Sequence, residues 1–413
     1  MLFPRPKTSS TPRRVVVTGA GIVTGLGRGW DSNLNGFRNG LQSFRSVTLF
    51  DVSRQRARIA SEVDLPLKLP ATKLSARRVG RLDRATTMLL LASVEAWNQS
   101  GWKPNANTPL VLGTTGCGMT QGESYLTQAI KTPLSQRLQA TRIVNYLPQH
   151  QALDVCDALG FGGPITIIAN ACASGANAIG HAWQMIRNGE SDRVLTGGFD
   201  ALCHLIYAGF DSLHALSPSP CRPFDAKRDG LTLGEGAGIL AMETLESAQA
   251  RDAAILGEIA GYAASTDIHH LTQPHPQGNA AFDTMTGACE IGNITPHEVD
   301  YLNAHGTATP HNDSTEAAAI NRWAGKRAST LPVSSTKASI GHTLGAAGAV
   351  EAVVSLMALQ EQFLPPELGL ETVDAACLFP IVRRKTNALV TVVMSNSFGF
   401  GGANATLLLK RWL

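Results

Sequence analysis

The sequence has no Cys-x-x-Cys pair, and its cysteines number 7, an odd count scattered between Cys117 and Cys377. Neither a disulfide framework nor a thiolate zinc site is indicated, and a reducing compartment is. No run of about 18 apolar residues occurs, so no segment is expected to span a membrane. The start, Met1 to Arg14, is polar, basic and proline-containing, without the apolar stretch of a secretory leader. A cytoplasmic location is expected. Charge of one sign is scarce: 35 Lys and Arg against 32 Asp and Glu leave +3, too little to argue for nucleic acid.

What remains is a chain of 413 residues, 44% hydrophobic and 16% charged, enough for a sizeable core and too apolar for disorder. Its 40 glycines cluster with alanine and serine, which suits tight turns and close backbone approach. Strand and helix patterns alternate. Strands are read at 14–19, 109–113, 164–169, 193–198, 238–242, 254–259, 299–303 and 389–394. Helices are read at 84–100, 173–187, 278–292, from Asp313, and at 344–361. The class is therefore α/β. Residues 1–12 read as a flexible arm, 13–255 as one half and 256–413 as a second half with a similar order of elements. No sequence repeat proves duplication.

Four segments have the residue types for chemistry. In Asn170-Ala171-Cys172-Ala173-Ser174-Gly175, a cysteine sits between a buried strand and a small-residue helix. A helix N-terminus favours thiolate, and a strand-to-helix turn leaves backbone N–H groups free as oxyanion donors. In Asn303-Ala304-His305-Gly306-Thr307-Ala308-Thr309, a histidine directly follows a strand. In Ser335-Thr336-Lys337 through His342, a lysine and a histidine precede the helix that carries Glu351. The turn Phe398-Gly399-Phe400-Gly401-Gly402 offers further backbone donors. Each segment also has a plain structural reading as a buried thiol, a bonded loop histidine or a packing turn. The stretch Gly19-Ala20-Gly21-Ile22-Val23-Thr24 imitates a dinucleotide fingerprint but lacks its third glycine, so a nicotinamide site is set aside. His269, His270 and His275 share one loop without an acidic or cysteine ligand, and no metal site is read there.

Taken together, these segments resemble the β-ketoacyl synthase family, in its elongating, decarboxylating branch. The resemblance runs from Val15 to Lys410 and rests on the ordered set Cys172, His305, Lys337, His342 and the Gly-Phe-Gly-Gly turn. It implies a thiolase-like fold, two similar βαβ halves in a five-layer α-β-α-β-α arrangement, and a dimer. It implies Cys172 as acyl-accepting nucleophile, His305 and His342 as the pair that promotes malonyl decarboxylation, and Lys337 and Glu351 as their supporting charges. The N–H groups of Cys172 and Phe400 would form the oxyanion hole, with Phe400 also a gate. Thr272, Thr307, Thr309, Phe398, Phe400, Cys117 and Phe210 would line the pantetheine and acyl path. Asp313 and Glu316 would be scaffold acids. Arg77, Arg78, Arg81 and Arg84 would face an acidic acyl carrier protein, whose phosphopantetheine carries the substrates; no other cofactor and no metal is implied. The partner subunit would be a second copy or a ketosynthase-like subunit.

Branches of the superfamily separate on the same positions. A thiolase would use a second catalytic cysteine, an initiating synthase would carry Asn in place of His342, and a non-catalytic chain-length-factor-like subunit would lack Cys172. The last turn ends in Ala403-Asn404, where Thr-Asn is commoner, and Cys117 stands where a larger apolar residue is usual. The stretch 118–160 departs most from fatty-acid enzymes, which leaves both fatty acid and type II polyketide or aryl-polyene synthesis open.

Overall fold

The computed structural model describes residues 12–131 and 144–412. Residues 1–11 of the expected arm, and 132–143 within the divergent stretch, lie outside the described residues.

Ten strands form one hydrogen-bonded path, in the order Val333–Ser334, Tyr301–Asn303, Val392–Phe398, Ala403–Lys410, Gly257–Thr266, Val15–Thr24, Gly236–Thr244, Arg193–Asp200, Leu110–Gly113 and Ile165–Ile168. The path reads as two copies of one topology. Numbered within its own half, each set of strands has the order 3-2-4-5-1, with strands 2, 3 and 4 parallel and strands 5 and 1 antiparallel. The copies meet through the short antiparallel pairing of Val16 with Glu258 and Val17 with Gly257.

The layers follow from burial. Helix Ala347–Glu361 is apolar on every side and buried throughout Ala347–Leu359. Such a helix needs cover all round, and it lies in the central layer beside Ser174–Arg187, between strands of both halves. Together with the 3₁₀ turn before it, the stretch Leu344–Glu361 is long and apolar enough to cross a membrane, but it is enclosed in the protein core. Arg84–Ser100 and Pro148–Leu159 cover the outer face of the first half; Asn279–Gly292 and Pro310–Ala324 cover that of the second. The outcome is the five-layer thiolase-like arrangement.

Several boundaries differ from the sequence reading. The first strand does not stop at Gly19 but continues to Thr24. Its glycines serve close packing: a Cβ on Gly21 would lie 1.9 Å from the Ala92 carbonyl oxygen of helix Arg84–Ser100. The strand expected at 254–259 forms at Gly257–Thr266, where it pairs along Ala403–Lys410. The strand expected to end at Met394 runs through Ser395, Asn396 and Ser397 to Phe398, and Ala403–Lys410, absent from the sequence reading, pairs with it. Polar residues read as a loop from sequence; here Ser395, Asn396 and Ser397 are buried, because the second half packs over them.

Candidate active site

Cys172 lies in a single 3₁₀ turn, Ala171–Ala173, at the start of helix Ser174–Arg187. The preceding residue, Ala171, has φ 57°, a left-handed conformation that a side chain resists. The thiol is buried at 7% exposure. Burial pushes it up to about 11, against the pull of Lys337 and of the Phe400 N–H. Loss of water at the buried sulfur therefore opposes the thiolate that a helix N-terminus favours.

The two histidines arrive from the second half. His305 follows the strand Tyr301–Asn303, and His342 lies between the short helix Lys337–Ile340 and the turn Leu344–Ala346. Their ring centroids are 5.3 Å apart. Lys337 Nζ is 3.4 Å from His305 Nδ1 and ion-pairs with Glu351. An ammonium has only protons to offer, so His305 Nδ1 is the acceptor and its proton sits on Nε2. The Leu344 N–H donates to His342 Nδ1 at 3.1 Å, which fixes the same tautomer. His342 Nε2 is buried and has no hydrogen-bond partner among the described residues. Burial lowers both rings well below the usual imidazole value, and the Lys337 charge adds to the effect. Both are neutral Nε2–H donors at pH 7. Burial pushes Glu351 up to about 7, opposed by Lys337.

Two buried acids at the start of helix Pro310–Ala324 hold the His305 loop. Glu316 accepts the N–H groups of His305 and Gly306 at 2.8 Å each, and burial raises it to about 7. Asp313 accepts those of Thr307 at 3.0 Å, Ala308 at 3.1 Å and Phe224 at 2.8 Å. The glycine turn closes the site: Gly401 and Gly402 both have φ 82°, and a Cβ on Gly399 would lie 3.3 Å from the Cys172 nitrogen.

A cavity of about 270 Å³ joins these parts, with Cys172, His305 and His342 on its wall. Thr272, Thr307, Thr309, Phe210, Phe398 and Phe400 also line it. The hydroxyls of Thr307 and Thr309 are 2.9 Å apart, and the Phe210 and Phe400 rings stack at 5.8 Å. Cys117 is not on this wall; its Sγ donates to the Tyr146 carbonyl at 3.3 Å.

The arginine cluster divides. Arg84 is not a surface residue for a partner: its guanidinium is bound to the buried Glu235 and to the Val63 carbonyl. Arg78 pairs with Asp154 and Asp157 at 2.6 and 2.5 Å. Arg77 and Arg81 stand beside it on the rim of a polar surface pocket with His150 and Gln151. Among the described residues no group of three or more His, Cys, Asp or Glu side chains is disposed to hold a metal ion.

The sequence reading missed Asp200. It is fully buried at the end of strand Arg193–Asp200 and accepts from the Thr114 hydroxyl at 2.7 Å and from the N–H groups of Thr115, Gly116, Cys117 and Gly345 at 2.9, 2.7, 3.1 and 2.6 Å. Its only sequence signal is a lone acid ending an apolar strand.

The family model for the beta-ketoacyl synthase N-terminal domain matches residues 12–248, and that for the C-terminal domain matches 256–371. The 3-oxoacyl-[acyl-carrier-protein] synthase 2 of Synechocystis sp. is 38% identical over 416 residues, covering 97% of this chain and 98% of the relative. The protein of that name from Staphylococcus aureus is 35% identical over 414 residues, covering 98% and 99%. Among solved structures, the ishigamide ketosynthase/chain length factor aligns with a TM-score of 0.91 at 30% identity, covering 98% of this chain and 100% of that one. A type II polyketide ketosynthase solved with its acyl carrier protein aligns at 0.88 and 27% identity, covering 97% and 100%. With a cysteine from one half and two histidines from the other lining one cavity, and family models matching both halves, the chain belongs to the β-ketoacyl synthase family.

Proposed function

We propose that the chain joins an acyl group held on Cys172 to the two-carbon unit of a malonyl thioester, with both substrates delivered on the phosphopantetheine of an acyl carrier protein. The observation that carries this reading is the pair of neutral imidazoles, both protonated on Nε2 and lining one cavity with the thiol.

The steps balance. Cys172 attacks the acyl thioester, a new C–S bond forms, and the pantetheine sulfur departs with the thiol proton. Malonyl then binds. Its C–CO₂ bond breaks, and the electron pair moves into an enolate whose oxygen takes the Nε2–H bonds of His305 and His342. The enolate carbon attacks the acyl carbonyl; the oxyanion is held by the N–H groups of Cys172 and Phe400, and collapse releases the Cys172 sulfur. No electron enters or leaves from outside, so the sequence needs no redox group.

Residues 13–255 would supply the nucleophile and 256–413 the histidine pair. Thr272, Thr307 and Thr309 would contact the pantetheine arm, and Arg77 and Arg81 the carrier. The subunit would pair with a second copy or with a related subunit. The 7 unpaired thiols fit a reducing, cytoplasmic setting. The convergence of Cys172, His305 and His342 speaks against a non-catalytic partner-subunit role.

The test is intact mass after mixing with a panel of acyl-carrier thioesters. One acyl group added to wild type and none to Cys172→Ala is expected, and the preferred chain would report the pathway, fatty acid or type II polyketide. Wild type that takes up no chain from any loaded carrier would sink the proposal.

A further inference from the structure

The oxyanion donor at Cys172 is half of a peptide whose other half is held. The N–H of Cys172 and the C=O of Ala171 belong to one planar unit, so fixing the carbonyl fixes the direction of the N–H. Two hydroxyls fix that carbonyl, beside the Ser174 backbone N–H that closes the 3₁₀ turn on it. Ser174 Oγ donates to Ala171 O at 2.6 Å, and Thr115 Oγ1 donates to it at 3.1 Å. Ser174 Oγ also accepts the Asn170 N–H at 3.0 Å, which ties down the other side of the turn. Thr115 is itself pinned, because its N–H donates to the buried Asp200 carboxylate at 2.9 Å. The turn needs such restraint. Ala171 is left-handed at φ 57°, a conformation that a residue with a side chain resists and that persists only where neighbours enforce it.

We propose that Thr115 and Ser174 are positioning residues that aim the Cys172 N–H at the oxyanion, by clamping the Ala171 carbonyl from two sides. The inference rests on the condensing reading above. It makes a division that a merely structural role does not. Acyl transfer to Cys172 builds an oxyanion and depends on the aim. Alkylation of the same thiol by iodoacetamide displaces iodide at a saturated carbon and needs no oxyanion donor. Malonyl decarboxylation places its negative charge before His305 and His342 instead.

The experiment compares wild type, Thr115→Val, Ser174→Ala, the double variant and Thr115→Ser in three assays: acyl transfer from a loaded carrier by rapid-quench mass, iodoacetamide alkylation, and malonyl decarboxylation. Loss of a whole oxyanion donor lowers rates about 10²–10³-fold, so a misaimed one is expected to cost about 10–100-fold in acyl transfer for the double variant. Alkylation and decarboxylation should stay within about threefold of wild type, single variants should fall between, and Thr115→Ser should recover the wild-type rate. Acyl transfer within twofold of wild type in the double variant overturns the inference. So does a parallel fall in all three assays, which would mean general loss of structure; Thr115→Val, at an exposed hydroxyl, is the variant least exposed to that outcome. A wild type that never acylates would fail the condensing reading, and this inference with it.

Discussion

The two halves of the molecule build the same turn and use it differently. Each leads through a 3₁₀ turn into a central-layer helix: Ala171–Ala173, after strand Ile165–Ile168, before Ser174–Arg187, and Leu344–Ala346, after the short helix Lys337–Ile340, before Ala347–Glu361. Each turn begins on a left-handed residue with a side chain, Ala171 at φ 57° and Leu344 at φ 56°. The next residue is Cys172 in one half and Gly345 in the other. The Cys172 side chain faces the cavity. Gly345 has no room for a side chain, since a Cβ there would lie 2.6 Å from the Thr115 nitrogen and 2.7 Å from Asp200 Oδ2, and its N–H is spent on Asp200. The glycines one turn on complete the symmetry: a Cβ on Gly175 would press on the Gly345 carbonyl at 2.8 Å, and one on Gly348 on the Ala176 nitrogen at 2.8 Å. One copy of the turn therefore turns a thiol to the cavity, and the other is given over to close packing against Asp200 and Thr115.

Substitutions sharpen that contrast. The largest expected effect is at Cys172→Ala, which should lower condensation by roughly 10⁴-fold or more, as loss of a nucleophile does, while malonyl decarboxylation persists. Carbon dioxide release without ketoacyl product is the measurement. His305→Ala and His342→Ala should do the reverse, lowering decarboxylation about 10²–10³-fold and leaving Cys172 open to acylation. At the matching position of the other turn, Gly345→Ala should act on the fold, destabilising it by about 1–3 kcal/mol through overpacking. Urea unfolding should show it against a small change for Cys172→Ala; equal midpoints for the two would break the comparison.

The charge state of the histidines gives a pH test. Burial and the Lys337 charge hold both rings below their ordinary value. The histidines should therefore contribute no acid-side fall in decarboxylation from pH 7.5 through 6.5, where a free imidazole would gain its proton; any fall there would come from Glu316 and Glu351, both raised to about 7. Removing the positive neighbour raises the histidine value, so Lys337→Met combined with Glu351→Gln should move the acid-side fall upward, while burial, the larger cause, still holds both rings below their ordinary value. The double change avoids stranding a buried charge, which would cost about 3–5 kcal/mol by itself. The smallest effect belongs to the surface. Arg77→Ala and Arg81→Ala should raise the carrier KM severalfold, more at low salt, with no change in stability. Arg84→Ala should lower stability instead, because it strands the buried Glu235.

The contrast between Arg77 and Arg84 shows where sequence reading ends. Both lie in one basic stretch, and nothing local separates them. Only the fold sends Arg84 inward, from a second helix, to a carboxylate 151 residues away. Asp200 was missed for the same reason: its donors come from residues 114–117 and from Gly345, and no local pattern marks an acid that is satisfied by distant N–H groups and a distant hydroxyl. Likewise, strand Ala403–Lys410 escaped notice because its neighbours are Gly257–Thr266 and Val392–Phe398.

By itself the sequence determined the class and the chemistry. Periodicity is local, so the alternation of strands and helices could be read, and the order of Cys172, His305, Lys337 and His342 marked the family. The tertiary structure decided the rest: the burial of the thiol, the shared tautomer of the histidines, the inward turn of Arg84 and the pairing of two similar turns, one carrying Cys172 and the other Gly345. These depend on burial and on partners from the other half of the chain, and a desolvation cost exists only once distant segments have packed together.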